Sequence, residues 1–111
     1  MTNPKVRRHN LIGLIDGVAA EFGVTTNDIR GQSRHREITD ARAMAMLLLK
    51  RAAGLPDEII GLIFNRARPS VIAAANQMRG LLDVSSTHRQ HYKNIIAKYP
   101  DFDFIKNENN P

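Results

Sequence analysis

Chemistry-bearing residues gather in one stretch, "FNRARPSVIAAANQM", Phe64 to Met78. Two arginines, Arg66 and Arg68, precede Pro69 and Ser70, and Ala73 and Gln77 follow at helical spacing. Arginine forks match phosphate oxygens and the acceptor edge of guanine. Glutamine matches adenine, and a small alanine can meet a thymine methyl. Further cations lie upstream: Arg34 and Arg36 in "QSRHRE", then Arg42 and Lys50 in "ARAMAMLLLK". These residue types suit a polyanion, above all duplex DNA. The competing interpretation is a basic helical protein whose charges face only water.

The charge distribution fits the first interpretation. Net charge is +5 over 111 residues, but the tail "PDFDFIKNENNP" holds three of the acids. Residues 1–99 therefore carry 15 Lys and Arg against 8 Asp and Glu, a net of +7, and eleven of the sixteen cations are arginine. The chain has no cysteine, which excludes disulfides and thiolate metal sites. It has no apolar run of the ~18 residues that a membrane span needs. The start, "MTNPKVRRHNLIGLI", lacks a cleavage pattern, so a cytosolic, nucleoid-associated protein is expected.

The elements that must position these residues are helices. Aromatics are 5% of the chain, and Leu, Ile, Ala and Met dominate the hydrophobic 42%. The pattern predicts six helical stretches and no strand. The first runs from about Val6 to Phe22, with Leu11, Ile15, Val18, Ala19 and Phe22 on one face and Gly23 as its cap. A short turn, "TTNDIRG", is capped by Thr26 or Asn27 and stopped by Gly31. Residues 32–37 read as a solvated loop. The third helix opens at Thr39 and buries Ala41, Met44, Ala45, Leu48 and Ala52, with Arg42, Lys50 and Arg51 off that stripe. Pro56 starts a short fourth helix, which packs Ile59, Ile60 and Ile63 inward. Pro69 and Ser70 open the fifth, to about Leu82. It buries Val71, Ala75, Met78 and Leu82 and shows Ser70, Ala73, Ala74 and Gln77 outside. Ser86 caps the last helix, which Pro100 ends. Residues 1–99 form one domain, and residues 100–111 read as an acidic, flexible tail. The alternative is that Phe102, Phe104 and Ile105 fold back on the body or pair with a partner.

A long helix, a brace helix, a basic turn of about four residues and a helix with a small polar face make the helix-turn-helix plan. The plain alternative is a helical hairpin in a small bundle.

The stretches "IDGVAAEFGVTTNDIRG", "QSRHREI", "TDARAMAMLLLKRAAG" and "DEIIGLIF" follow in the order and spacing of a known family. The chain resembles, from about Ile15 to Tyr99, the C-terminal DNA-binding domain of the bacterial replication initiator DnaA. The resemblance implies an all-α, Trp-repressor-like bundle containing a helix-turn-helix. It implies that Arg34 enters a minor groove, that Arg42 and Lys50 meet phosphates, and that Arg66 matches the arginine of the family's "GGRDHTTV" signature. The departure starts there. The chain is one residue shorter between Phe64 and Val71. Ala67 stands for the acid, Arg68 for the histidine, and Pro69 and Ser70 for the threonines that read bases. Binding to the initiator's own sequence box is therefore not expected. Arg68, Gln77 and Ala73 could read other bases, or Arg66 and Arg68 could hold phosphates alone.

Two function classes remain open: a DNA reader serving transcriptional regulation or replication control, and a protein-interaction module on the same fold. A homodimer or a regulatory partner is compatible with either. No phosphate loop of the form GxxxxGK[ST] occurs, so no nucleotide or other cofactor is expected. His88 and His91 read as solvated helix residues without a metal, and no serine–histidine–acid set is visible. An enzyme is not expected.

Overall fold

The computed structural model describes residues 8–108. The chain folds as α1 (Arg8–Glu21), α2 (Thr26–Arg30), α3 (Arg36–Arg51), α4 (Asp57–Phe64), α5 (Arg68–Val84) and α6 (Ser86–Lys98). A 3-10 turn (Pro100–Phe102) and α7 (Phe104–Glu108) follow. No strand occurs among the described residues. The expected start of the first helix at Val6 lies outside them.

Local chemistry fixes the helix ends. Gly23 takes φ +70° after α1, and the Val24 and Gly23 amides close onto the Ala19 and Ala20 carbonyls. Thr25, one residue before the expected cap, caps α2. Its hydroxyl accepts from the Asp28 amide, and the Asp28 carboxylate accepts from the Thr25 amide, both at 3.0 Å. The third helix begins earlier than expected, at Arg36 with His35 at the cap position. Thr39 lies inside its first turn and donates to the Arg36 carbonyl. Arg36 is thus a helix residue and not a loop residue.

α3 is the hub. Met44 to Leu49 are all buried, because α1, α2, α4 and α5 pack around this helix. A stripe read at helical spacing found only part of this set, since a helix covered on all sides has no polar face. Arg42 is buried as well, at 7% exposure, and not off the stripe. In α4 the brace is made by Ile60, Phe64 and Gly61, while Ile59 is 43% exposed and Ile63 half-buried. Ile59 therefore does not pack inward as expected.

Residues 100–108, read from the sequence as part of a flexible tail, pack onto the body. Phe102 and Phe104 are buried, for the apolar reason that Pro100 turns the chain back over α6. The Phe104 ring meets Tyr92 edge-on at 5.6 Å, with the guanidiniums of Arg51 and Arg79 5.7 and 5.9 Å from its centroid. Glu108 binds both arginines at 2.7 Å. Residues 109–111 lie outside the described region.

Candidate nucleic-acid interface

The turn between α4 and α5 is built by backbone constraints. Asn65 adopts φ 53°, a left-handed conformation that asparagine tolerates, and the Arg66 amide returns to the Gly61 carbonyl at 2.8 Å. A side chain on Gly61 would collide with the Arg66 carbonyl. Only glycine lets the turn close against α4 this tightly. Ala67 and Pro69 then start α5. Val71, Ala75, Met78 and Leu82 are buried, as the spacing predicts. Ser70, Ala73, Asn76 and Gln77 stand exposed on the other side, and Ala74 is half-buried.

A groove of about 500 Å³ runs between α3, α5 and the 32–35 loop. Arg34, Arg36, Arg42, Arg66, Ser70 and Gln77 line it, so six of the nine sequence-predicted residues meet in one place. Arg34 and Arg36 are exposed. The other three lie elsewhere. Lys50 pairs with Asp57 at 3.2 Å, past the groove's end. Arg68 pairs with Glu58 at 3.0 Å beside the turn. Ala73 sits on the outer ridge of α5.

Two of the groove arginines are bound to backbone. Arg42 Nε donates to the Ile29 carbonyl at 2.7 Å, and its Nη2 to those of Asp28, Gly31 and Ser33. Arg66 donates to the Phe64, Asn65 and Gly31 carbonyls. Burial, and then the nearby Arg66 charge, lower the Arg42 pKa from its ordinary value.

Asp40 also lines the groove. Its carboxylate lies 4.0 Å from Arg36 Nε and 3.0 Å from His88 Nε2. Arg36 one turn before Asp40 is the signal that could have found the first contact. His88 is buried and not solvated. Its Nδ1 lies 2.7 Å from the Ser85 hydroxyl, which also accepts the His88 amide as the cap of α6. This serine–histidine–acid line spans 48 residues, which hid it from a local search. The serine oxygen is committed to capping, so the set acts as a strut between α3 and α6. His91 is likewise engaged, 2.9 Å from Glu21 and stacked on Phe22. Among the described residues no cluster of three metal-ligating side chains occurs, and no helix is long and apolar enough to cross a membrane.

Known proteins resemble the chain over most of its length. The family described as "Bacterial dnaA protein helix-turn-helix" matches residues 13–78. Chromosomal replication initiator protein DnaA 1 of Chlamydia trachomatis is 28% identical over 101 residues, covering 85% of this chain and 22% of its own length. Chromosomal replication initiator protein DnaA of Chlorobaculum tepidum is 32% identical over 79 residues, covering 70% of this chain and 16% of its own. The chain spans about a fifth of the length of these relatives. It belongs to the bacterial DnaA helix-turn-helix family.

Proposed function

We propose that the chain binds double-stranded DNA, with α5 in the major groove and Arg34 in the adjacent minor groove. The observation that carries this reading is the groove in which Arg34, Arg36, Ser70 and Gln77 come together. Ser70 and Ala73 leave the exposed side of α5 with few long side chains, so its backbone can approach base edges. Gln77 suits adenine, and Ala73 a thymine methyl. Arg34, on an exposed loop, suits the negative potential of a narrow A·T-rich minor groove. Arg36 beside it suits a backbone phosphate. Arg68 is exposed at the start of α5 and can exchange Glu58 for a guanine or a phosphate. Replication control and transcriptional regulation would use the same contacts.

Selection from a randomised duplex library at two salt concentrations tests the reading. A motif retained at the higher salt is expected. Duplex binding without a motif would leave backbone contact alone, and recovery of nothing would overturn the reading.

A protein-interaction role on the same fold is the second reading. Ile59 and Leu62, 43% and 78% exposed on α4, favour it. It predicts no steep loss of duplex binding with salt, the opposite of the first.

A further inference from the structure

Two like-charged side chains converge on one backbone atom. The Gly31 carbonyl accepts from Arg66 Nη2 at 2.6 Å and from Arg42 Nη2 at 3.2 Å. Arg42 reaches it from α3, and Arg66 from the turn that leads into α5. Their remaining bonds run to two separate segments. Arg42 holds the carbonyls of residues 28, 29 and 33, just before Arg34. Arg66 holds those of Phe64 and Asn65, just before α5.

We propose that Arg42 and Arg66 are positioning residues, a clasp on the Gly31 carbonyl that fixes where Arg34 stands relative to α5. The two sites of the proposed DNA contact lie on segments far apart in sequence, and the residues leading to Arg34 are irregular from Gly31 to His35. Such a loop would have to be ordered at the moment of binding, at an entropic cost to affinity. The clasp orders it beforehand. Five carbonyls that helices do not satisfy are used to do so. A guanidinium can make these divergent bonds, whereas a lysine ammonium cannot span them. Arg42 has its Nε and Nη2 committed at 7% exposure, which leaves it poorly placed to neutralise a phosphate directly.

This inference rests on the DNA-binding reading, and a double-mutant cycle tests it on the duplex that the wild-type protein selects. Arg66→Gln is expected to weaken binding roughly tenfold, the usual size of a lost base-reading contact. In an Arg34→Ala background the same change is expected to cost almost nothing, because Arg66 acts through Arg34. The salt slope on random duplex should stay unchanged. An equal loss in both backgrounds, with the slope falling by about 1, would mark Arg66 as a phosphate ligand and overturn the clasp. Arg66→Lys carries the same cycle if the glutamine variant folds poorly. A readout free of DNA separates the two ideas. The Arg34 amide of the wild-type protein should show a rigid-backbone order parameter near ~0.85, falling in Arg66→Lys. A wild-type value below ~0.6 would sink the clasp whether or not DNA binds. Rigid Arg34 with no duplex binding would sink only the DNA reading.

Discussion

Glu58 holds Arg68 at 3.0 Å across the turn that joins α4 to α5. Both side chains are largely exposed, at 63% and 59%, so the pair contributes little to stability. Its effect falls on charge at the start of α5, the helix proposed to enter the major groove, where Glu58 neutralises an arginine and would repel phosphate. Glu58→Gln is expected to raise duplex affinity several-fold at low salt while leaving the melting temperature nearly unchanged. The gain should shrink as salt rises, because the Debye length falls to ~8 Å at physiological ionic strength. Titrations of both proteins at two salt concentrations check this, and a variant that binds no better would remove Arg68 from the interface.

Gly61 and Gly80 predict opposite outcomes for the same substitution. A methyl on Gly61 collides with the Arg66 carbonyl inside the turn, whereas one on Gly80 meets nothing within 4 Å. Gly61→Ala is expected to cost about 1–3 kcal/mol, as overpacking does. Gly80→Ala, within α5, is expected to add about 0.5–1 kcal/mol through helix propensity. Urea denaturation of the two variants measures both signs.

The strut from Asp40 through His88 to Ser85 joins the groove to α6. Removing the imidazole takes the hydrogen bond from a half-buried carboxylate and leaves it only Arg36 at 4.0 Å. His88→Ala is expected to destabilise the fold by about 1–3 kcal/mol, the cost of stranding a polar group. Asp40→Asn keeps a hydrogen-bond acceptor for the ring and removes a negative charge from among the groove arginines. It should therefore bind duplex more tightly than wild type while losing less stability than His88→Ala.

Glu108 gives the fold a defined acid response. The hydrogen bond from Arg79, with Arg51 adding to it, holds this carboxyl below its ordinary value of 4.5. A carboxyl with a lowered folded pKa contributes stability that is complete above the unfolded value. The contribution disappears as pH falls through the folded one. Glu108→Gln is expected to lower stability at neutral pH by up to about 1 kcal/mol. The gap between variant and wild type should close on acidification below 4.5. A gap that stays constant down to about pH 2 would show that the tether acts by shape and not by charge.

Helices α1, α4, α5 and α6 were legible because each alternates buried and exposed residues at helical spacing. Val71, Ala75, Met78 and Leu82 are a clear case. α3 was legible as a helix but not as the hub, since Leu47 and Leu49 break its expected stripe and are buried by neighbours distant in sequence. Arg42 shows the same limit in the candidate site. Its type and helical phase predict a surface cation, and only the end of α2 and the turn after it supply the carbonyls that bury it. Phe102 and Phe104 were visible as apolar residues in an acidic tail, but their burial depends on Tyr92, Arg51 and Arg79. Arg34, Arg36, Ser70 and Gln77 could be named because residue type and family register pointed to them. Their shared groove is a product of how α3 crosses α5.

α5 divides its residues cleanly between two sides. Val71, Ala75, Met78 and Leu82 hold it in the core, while Ser70, Ala73, Asn76 and Gln77 are exposed. Substitutions on the outer side are therefore close to free energetically, with surface changes usually within about 0.5 kcal/mol. The scaffold can keep its shape while these outward residues of α5 change. With α5 reading bases as proposed, exchanging a few positions on one helix would change the target without a compensating change anywhere in the interior.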